Sequence, residues 1–204
     1  MKSTTMRLVV CAGVMLYMGT ACKKIELPSV TPQPVEIRSE LIYPDQGLLK
    51  PWSPAVRFDL DKDGRFDILF YTQLVGDPIH REDKMQFRIG TNLHTALAVN
   101  AQEETPRWGY GDAIPDSGSF GTYTWYAATD LLLMQEVTPM LPRTVFWTGS
   151  WQHRDIGYIG FTWLGPTGKR LGWISLRAEP EQKQMRIIQA GWFPVGETRA
   201  KAGF

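Results

Sequence analysis

The sequence predicts an all-β fold, a single-domain β-sandwich of jelly-roll-like type with at most one or two short helices. Three observations carry this expectation. Short runs rich in β-branched and aromatic residues recur along the chain between Gly, Pro, Asn and Asp, and few stretches keep helical spacing beyond two turns. Eight tryptophans, at positions 52, 108, 125, 147, 151, 163, 173 and 192, make the chain dense in residues that favour sheets. Apolar residues alternate on both sides of one acidic loop, with Val56, Phe58 and Leu60 before it and Phe66, Ile68 and Phe70 after it, the period of a strand pair.

The chain opens with MKSTTMRLVVCAGVMLYMGTAC, in which Lys2 and Arg7 form a basic start, residues 8–18 an apolar run, and Gly19, Thr20 and Ala21 a small-residue stretch before Cys22. This is the layout of an export signal. The apolar run is shorter than the roughly 20 residues that a membrane-spanning helix needs. The segment resembles the lipobox of bacterial lipoproteins, although Gly19 stands three before the cysteine, where Leu is usual. The resemblance implies cleavage after residue 21 and a lipid on Cys22, which would tie the protein to a membrane. Lys23 follows the cysteine, in the place where Asp tends to retain lipoproteins at the inner membrane, so the expected location is the outer membrane or cell surface. Cys11 and Cys22 are the two cysteines, and Cys11 lies in the discarded signal, so no pair remains for a disulfide.

Without residues 1–21 the chain has 183 residues, with 20 Lys plus Arg against 21 Asp plus Glu. Such near neutrality argues against both a nucleic-acid surface, which should show a basic excess, and a polyacidic tail. The length suits one domain with a sizeable core. Pro28, Pro32 and Pro34 make residues 22–35 a lipidated cysteine followed by an extended tether, roughly 40 Å long at about 3.1 Å per residue. Residues 36–204 are then the sandwich.

Within it, strands are expected at 55–60, 66–74, 85–89, 122–127, 143–148, 158–164, 171–178 and 185–191. Segments 95–104 and 128–136, with their Ala, Leu, Gln and Glu, are the two places where a short helix is expected. Most tryptophans are expected in the core, where each indole N–H needs an acceptor.

In DLDKDGRFD the carboxylates Asp59, Asp61, Asp63 and Asp67 fall at loop positions one, three, five and nine, with Gly64 at position six. Calcium takes six to eight oxygens at about 2.3–2.6 Å, and alternating aspartates in a tight loop turn successive side chains toward one point. Gly64 permits the positive φ of a sharp bend, and the backbone carbonyl of Arg65 offers a further oxygen. An EF-hand is excluded because position twelve is Phe70 and the flanks are strand-like. The loop resembles the D-x-D-x-D-G-x-x-D calcium loop of integrin-type FG-GAP repeats and of many secreted bacterial β-proteins. That resemblance implies one calcium ion, structural in role, between two strands of a hairpin. A plain Asp- and Gly-rich turn, held by side-chain to backbone bonds, is the competing reading. One copy of the loop argues against a multi-bladed propeller.

Toward the other end, Gly160-Phe161 and Leu171-Gly172-Trp173-Ile174 give a rhythm of strand, glycine turn and strand. It is similar to the closing strands of a group of uncharacterised bacterial secreted proteins that also carry an early D-x-D-x-D-G loop. Leu171 replaces the usual Tyr, and GYGDAIPDSGSFG matches the group's glycine-rich connection only loosely.

Catalytic signatures are sparse. Ser117-Gly118-Ser119-Phe120-Gly121 lacks the first glycine of a hydrolase elbow, and His80, His94 and His153 fit no metal-ligand spacing. Three functional readings follow. The leading one is a non-enzymatic, lipid-anchored, calcium-stabilised module that binds a glycan or another envelope protein through the aromatics Trp108, Tyr110, Trp125 and Trp151. The second is a glycan hydrolase using carboxylates of 103–121, among them Glu103, Glu104, Asp112 and Asp116. The third is an accessory subunit of an outer-membrane complex.

Overall fold

The computed structural model describes residues 38–44, 46–116, 118–141 and 144–204. The expected signal, Cys22 and the tether lie outside the described residues. Glu36–Phe204 is one compact unit. Its strands, in chain order, are β1 (Glu40–Ile42), β2 (Leu48–Leu49), β3 (Val56–Phe58), β4 (Ile68–Asp77), β5 (Glu82–Thr91), β6 (Thr95–Val99), β7 (Ser119–Phe120), β8 (Tyr123–Ala127), β9 (Asp130–Pro139), β10 (Phe146–Thr148), β11 (Gly157–Gly165), β12 (Gly168–Glu179) and β13 (Gln184–Trp192). A 3-10 turn, Pro180–Gln182, is the helical element among the described residues.

The strands form two antiparallel sheets. The larger runs β1-β13-β12-β11-β6-β8-β7, with β2 also on β13, and the smaller runs β10-β9-β5-β4-β3. Each of the eight expected segments contains a strand, although 55–60, 66–74, 122–127 and 143–148 are strand only in part. The expected helices do not form. Segment 95–104 is β6 followed by a turn in which the Asn100 side-chain oxygen accepts the backbone N–H groups of Gln102 and Glu104. Its alanines suit a strand here because both faces are covered: Leu97 faces the main core and Ala98 a second one. Segment 128–136 runs into β9, where the register shifts opposite Phe87 and Arg88. That bulge buries Leu133 and Met134 in succession, which interrupts the alternation that would have marked a strand.

The main core lies between the sheets and joins Phe58, Ile68, Phe70, Phe87 and Ile89 of the smaller sheet to Leu97, Ile159, Phe161, Ile174 and Leu176 of the larger. A second core covers the outer side of β11 and β12. There Trp173 and Leu171 meet Trp108, Ile114, Phe193, Ala200 and Ala202. Ile114 N–H donates to Ala200 O at 2.9 Å, holding those two covering segments together. Burial on both faces explains the run Leu171-Gly172-Trp173-Ile174 in the middle of β12.

The glycines of the C-terminal motif have a packing reason. Phe161 pairs with Gly172 and Gly160 with Trp173 across β11 and β12. A Cβ on Gly172 would stand 2.2 Å from the Phe161 ring, so the absence of a side chain is what lets that ring lie flat over the neighbouring strand. Five tryptophans are buried, namely Trp108, Trp151, Trp163, Trp173 and Trp192. Four of their indoles donate to acceptors: Trp151 to Thr105 O, Trp163 to Asp67, Trp173 to Phe204 O and Trp192 to Glu40.

Among the described residues, two polar links tie one sheet to the other. The buried Asp67, at the start of β4, accepts from Trp163 on β11. Glu136 on β9, also buried, accepts from Lys183 Nζ at 2.5 Å, beside the 3-10 turn.

Candidate metal centre

The aspartate loop joins β3 to β4, whose register pairs Val56 with Phe70 and Phe58 with Ile68. The hairpin expected from the alternation is therefore present. Gly64 has φ +86°, as the bend requires, and Lys62 also takes a positive φ of 63°. The carboxylates of Asp59, Asp61 and Asp67 bring one oxygen each to within 4.8 Å of one another. Asp63 stands outside this group. Its Oδ1 accepts the Arg65 N–H at 2.8 Å, closing the turn as an Asx-type cap.

The three converging groups differ in their surroundings. Asp59 accepts from Asp63 N–H at 3.1 Å and from Gly64 N–H at 2.9 Å, so it organises the loop backbone while facing its centre. Asp61 is exposed and accepts from Asp63 N–H at 3.2 Å. Asp67 is 3% exposed. Its Oδ2 takes the Leu60 N–H at 2.7 Å, and its Oδ1 takes Asn92 Nδ2 at 2.9 Å and Trp163 Nε1 at 3.1 Å. One buried carboxylate thus fixes the loop to β3, to the β5–β6 connection and to the opposite sheet.

Like charges at this spacing disfavour ionisation. The carboxyl of Asp61 is held above its usual range, by desolvation first and then by the charges of Asp67, Asp63 and Asp59, while the Asp63 N–H pulls it the other way. A divalent cation among the three groups would remove that repulsion. The donors are all oxygens, with no His or Cys in the group, which suits a hard cation. The loop lines an open depression of about 1480 Å³ together with Asn92, His94 and Trp163.

A second acidic group occurs at the far end of β4, where Asp77, His80 and Glu82 converge. Lys84 already occupies it, with Nζ 2.9 Å from Asp77 and 3.0 Å from Glu82. It is an ion-paired hairpin.

The aromatic residues expected to share one ligand face do not do so. Trp151 is 2% exposed and belongs to the main core, because the stretch after β10 folds inward and its N–H bonds to Leu133 O. Trp108 is also buried, in the second core beside the half-buried Trp125, with Phe120 between them at 6.0 and 5.9 Å. Tyr110 is exposed and stacks on Phe204 at 4.9 Å. Among the candidate acid–base carboxylates, Asp112 accepts Gly109 N–H at 2.7 Å, Glu104 accepts from Asn100 Nδ2 at 3.2 Å, Glu103 sits at φ 61° in the same turn, and Asp116 is half-buried. The three histidines are exposed.

Asn92 and Trp163 are the site residues that sequence reasoning missed. They stand 25 and 96 positions from Asp67, and no local pattern announces either. Compared with protein-family models, with curated proteins and with solved structures, the chain matches none.

Proposed function

We propose that the protein is a lipid-anchored, extracytoplasmic β-sandwich stabilised by one calcium ion, working as a binding or structural module at the outer membrane or cell surface. The observation that carries this reading is the convergence of Asp59, Asp61 and Asp67 at one point of a hairpin loop. Those three carboxylates would hold the ion, with the Arg65 carbonyl as the further oxygen that the spacing suggests, while Asp63 closes the turn through the Arg65 N–H. Oxygen-only donors favour calcium over softer metals. When bound, the ion supplies positive charge that lets four aspartates share one loop.

The anchor half of the reading rests on the signal-like start and on Cys22. It is supported by the absence of any second cysteine after the signal. Two experiments test the two halves separately. Isothermal titration with calcium alone gives one site in the parent and none in Asp61→Ala; a flat titration of the parent refutes the metal. Labelling of expressing cells with palmitate marks the parent and not Cys22→Ser; an unlabelled parent refutes the anchor.

A further inference from the structure

The depression around the aspartate loop is walled by more than carboxylates. Tyr43, Phe66 and Leu93 line it from three separate connections and Leu164 from the end of β11, and all are exposed, Leu93 by 80% and Leu164 by 61%. Apolar residues scattered singly over a surface are ordinary, whereas four around one opening form a patch. Arg57, Lys62 and Arg65 line the same opening. Strand β1 borders this end too. Trp192 Nε1 donates to Glu40 at 3.0 Å, and the Trp192 ring lies 5.5 Å from Trp163, which donates to Asp67.

We propose that this end of the sandwich docks onto an anionic lipid surface, with its apolar side chains entering the interface and its cation and basic residues meeting lipid phosphates. The proposal rests on the calcium and anchor readings above. Charge complementarity makes the docking calcium-dependent. Without the ion the loop aspartates repel a lipid phosphate; with it, Arg57, Lys62 and Arg65 prevail. A basic residue near an anionic surface strengthens partitioning about fivefold. Exposed leucines at the rim add to this by burying apolar area among the headgroups.

The test uses residues 23–204, which contain the whole compact unit and both cores, without a lipid. Flotation is measured with vesicles of phosphatidylcholine plus phosphatidylglycerol, and with phosphatidylcholine alone, in calcium and in chelator. The expected result is flotation that needs both calcium and phosphatidylglycerol. The double variant Leu93→Ser/Leu164→Ser should lower it at least about tenfold. That variant should keep the parent's calcium titration and circular dichroism, since both side chains are exposed. Calcium binding without flotation overturns the docking and leaves the metal reading standing. Absence of calcium binding overturns both. Equal flotation of the double variant, or flotation that ignores phosphatidylglycerol or calcium, also overturns the docking.

Discussion

Replacing Asp67 by alanine removes the one carboxylate that links loop, hairpin and opposite sheet. Two of its donors lie in buried surroundings, Leu60 N–H at 2.7 Å and Trp163 Nε1 at 3.1 Å, and among the described residues Asp67 is the acceptor of each. An orphaned buried donor costs about 1–3 kcal/mol. The third, Asn92 Nδ2, retains Phe66 O at 3.3 Å and loses less. Relief of repulsion on Asp61 offsets part of the loss, because the Asp67 charge raises that group. The net expectation is about 2–4 kcal/mol, and a domain of this size loses about 2–4 °C of midpoint per kcal/mol. Asp67→Ala should therefore melt about 5–15 °C below the parent. The assay is thermal unfolding by circular dichroism in chelator, so that metal does not enter, with tryptophan emission as a report on Trp163. Asp67→Asn should fall between the two, since one oxygen still serves Asn92 and Trp163 while an amide donor now confronts Leu60 N–H. A midpoint for Asp67→Ala within about 1 °C of the parent would refute the reasoning.

Two glycines separate backbone strain from crowding. Gly64→Ala meets no atom within 4 Å and should cost about 1–2 kcal/mol from its positive φ alone, whereas Gly172→Ala, 2.2 Å from the Phe161 ring and 2.7 Å from Gly191 O, should cost about 3 kcal/mol. Urea denaturation ranks them, and the reverse order would contradict the packing account. The β4–β5 hairpin predicts a pH effect. Lys84 first, and then the N–H and ring of His80, hold the Asp77 carboxyl well below its ordinary range. A depressed carboxyl stabilises the fold above its unfolded value and loses that contribution as pH falls toward the folded one. The parent should thus lose stability on acidification below about pH 4, and Asp77→Asn should lose less over the same range, as read by midpoint against pH. Parallel curves would dismiss the ion pair as a contributor.

Much of this architecture was legible in the sequence, and what escaped has physical causes. Alternation betrayed strands with one side to water and the other to the core, as in Val56 and Phe58 flanking the exposed Arg57. It failed for β6, covered on both faces, and for β9, where a bulge resets the period. β1, β2 and β7 span two or three residues, and no alternating run like that of Val56, Phe58 and Leu60 frames them. At the candidate site, spacing revealed the aspartates because their convergence is local. Chain order could not reveal that Asp63 turns aside to cap Arg65, nor that Asp67 is met by a tryptophan from the other sheet. Trp151 misled for a related reason: nothing local announces that the stretch after β10 folds inward and buries it.

The claim on which the account turns is that the aspartate loop holds a cation in the folded state. Thermal unfolding of the purified protein in excess calcium and then in chelator tests it most directly. An ion bound only by the folded form, at about a hundred times its dissociation constant, adds about 2.7 kcal/mol. The midpoint should then rise by about 5–10 °C with calcium, and Asp61→Ala should erase the rise. An unchanged midpoint in the parent would contradict the metal centre and leave the loop as a turn closed by its own side chains.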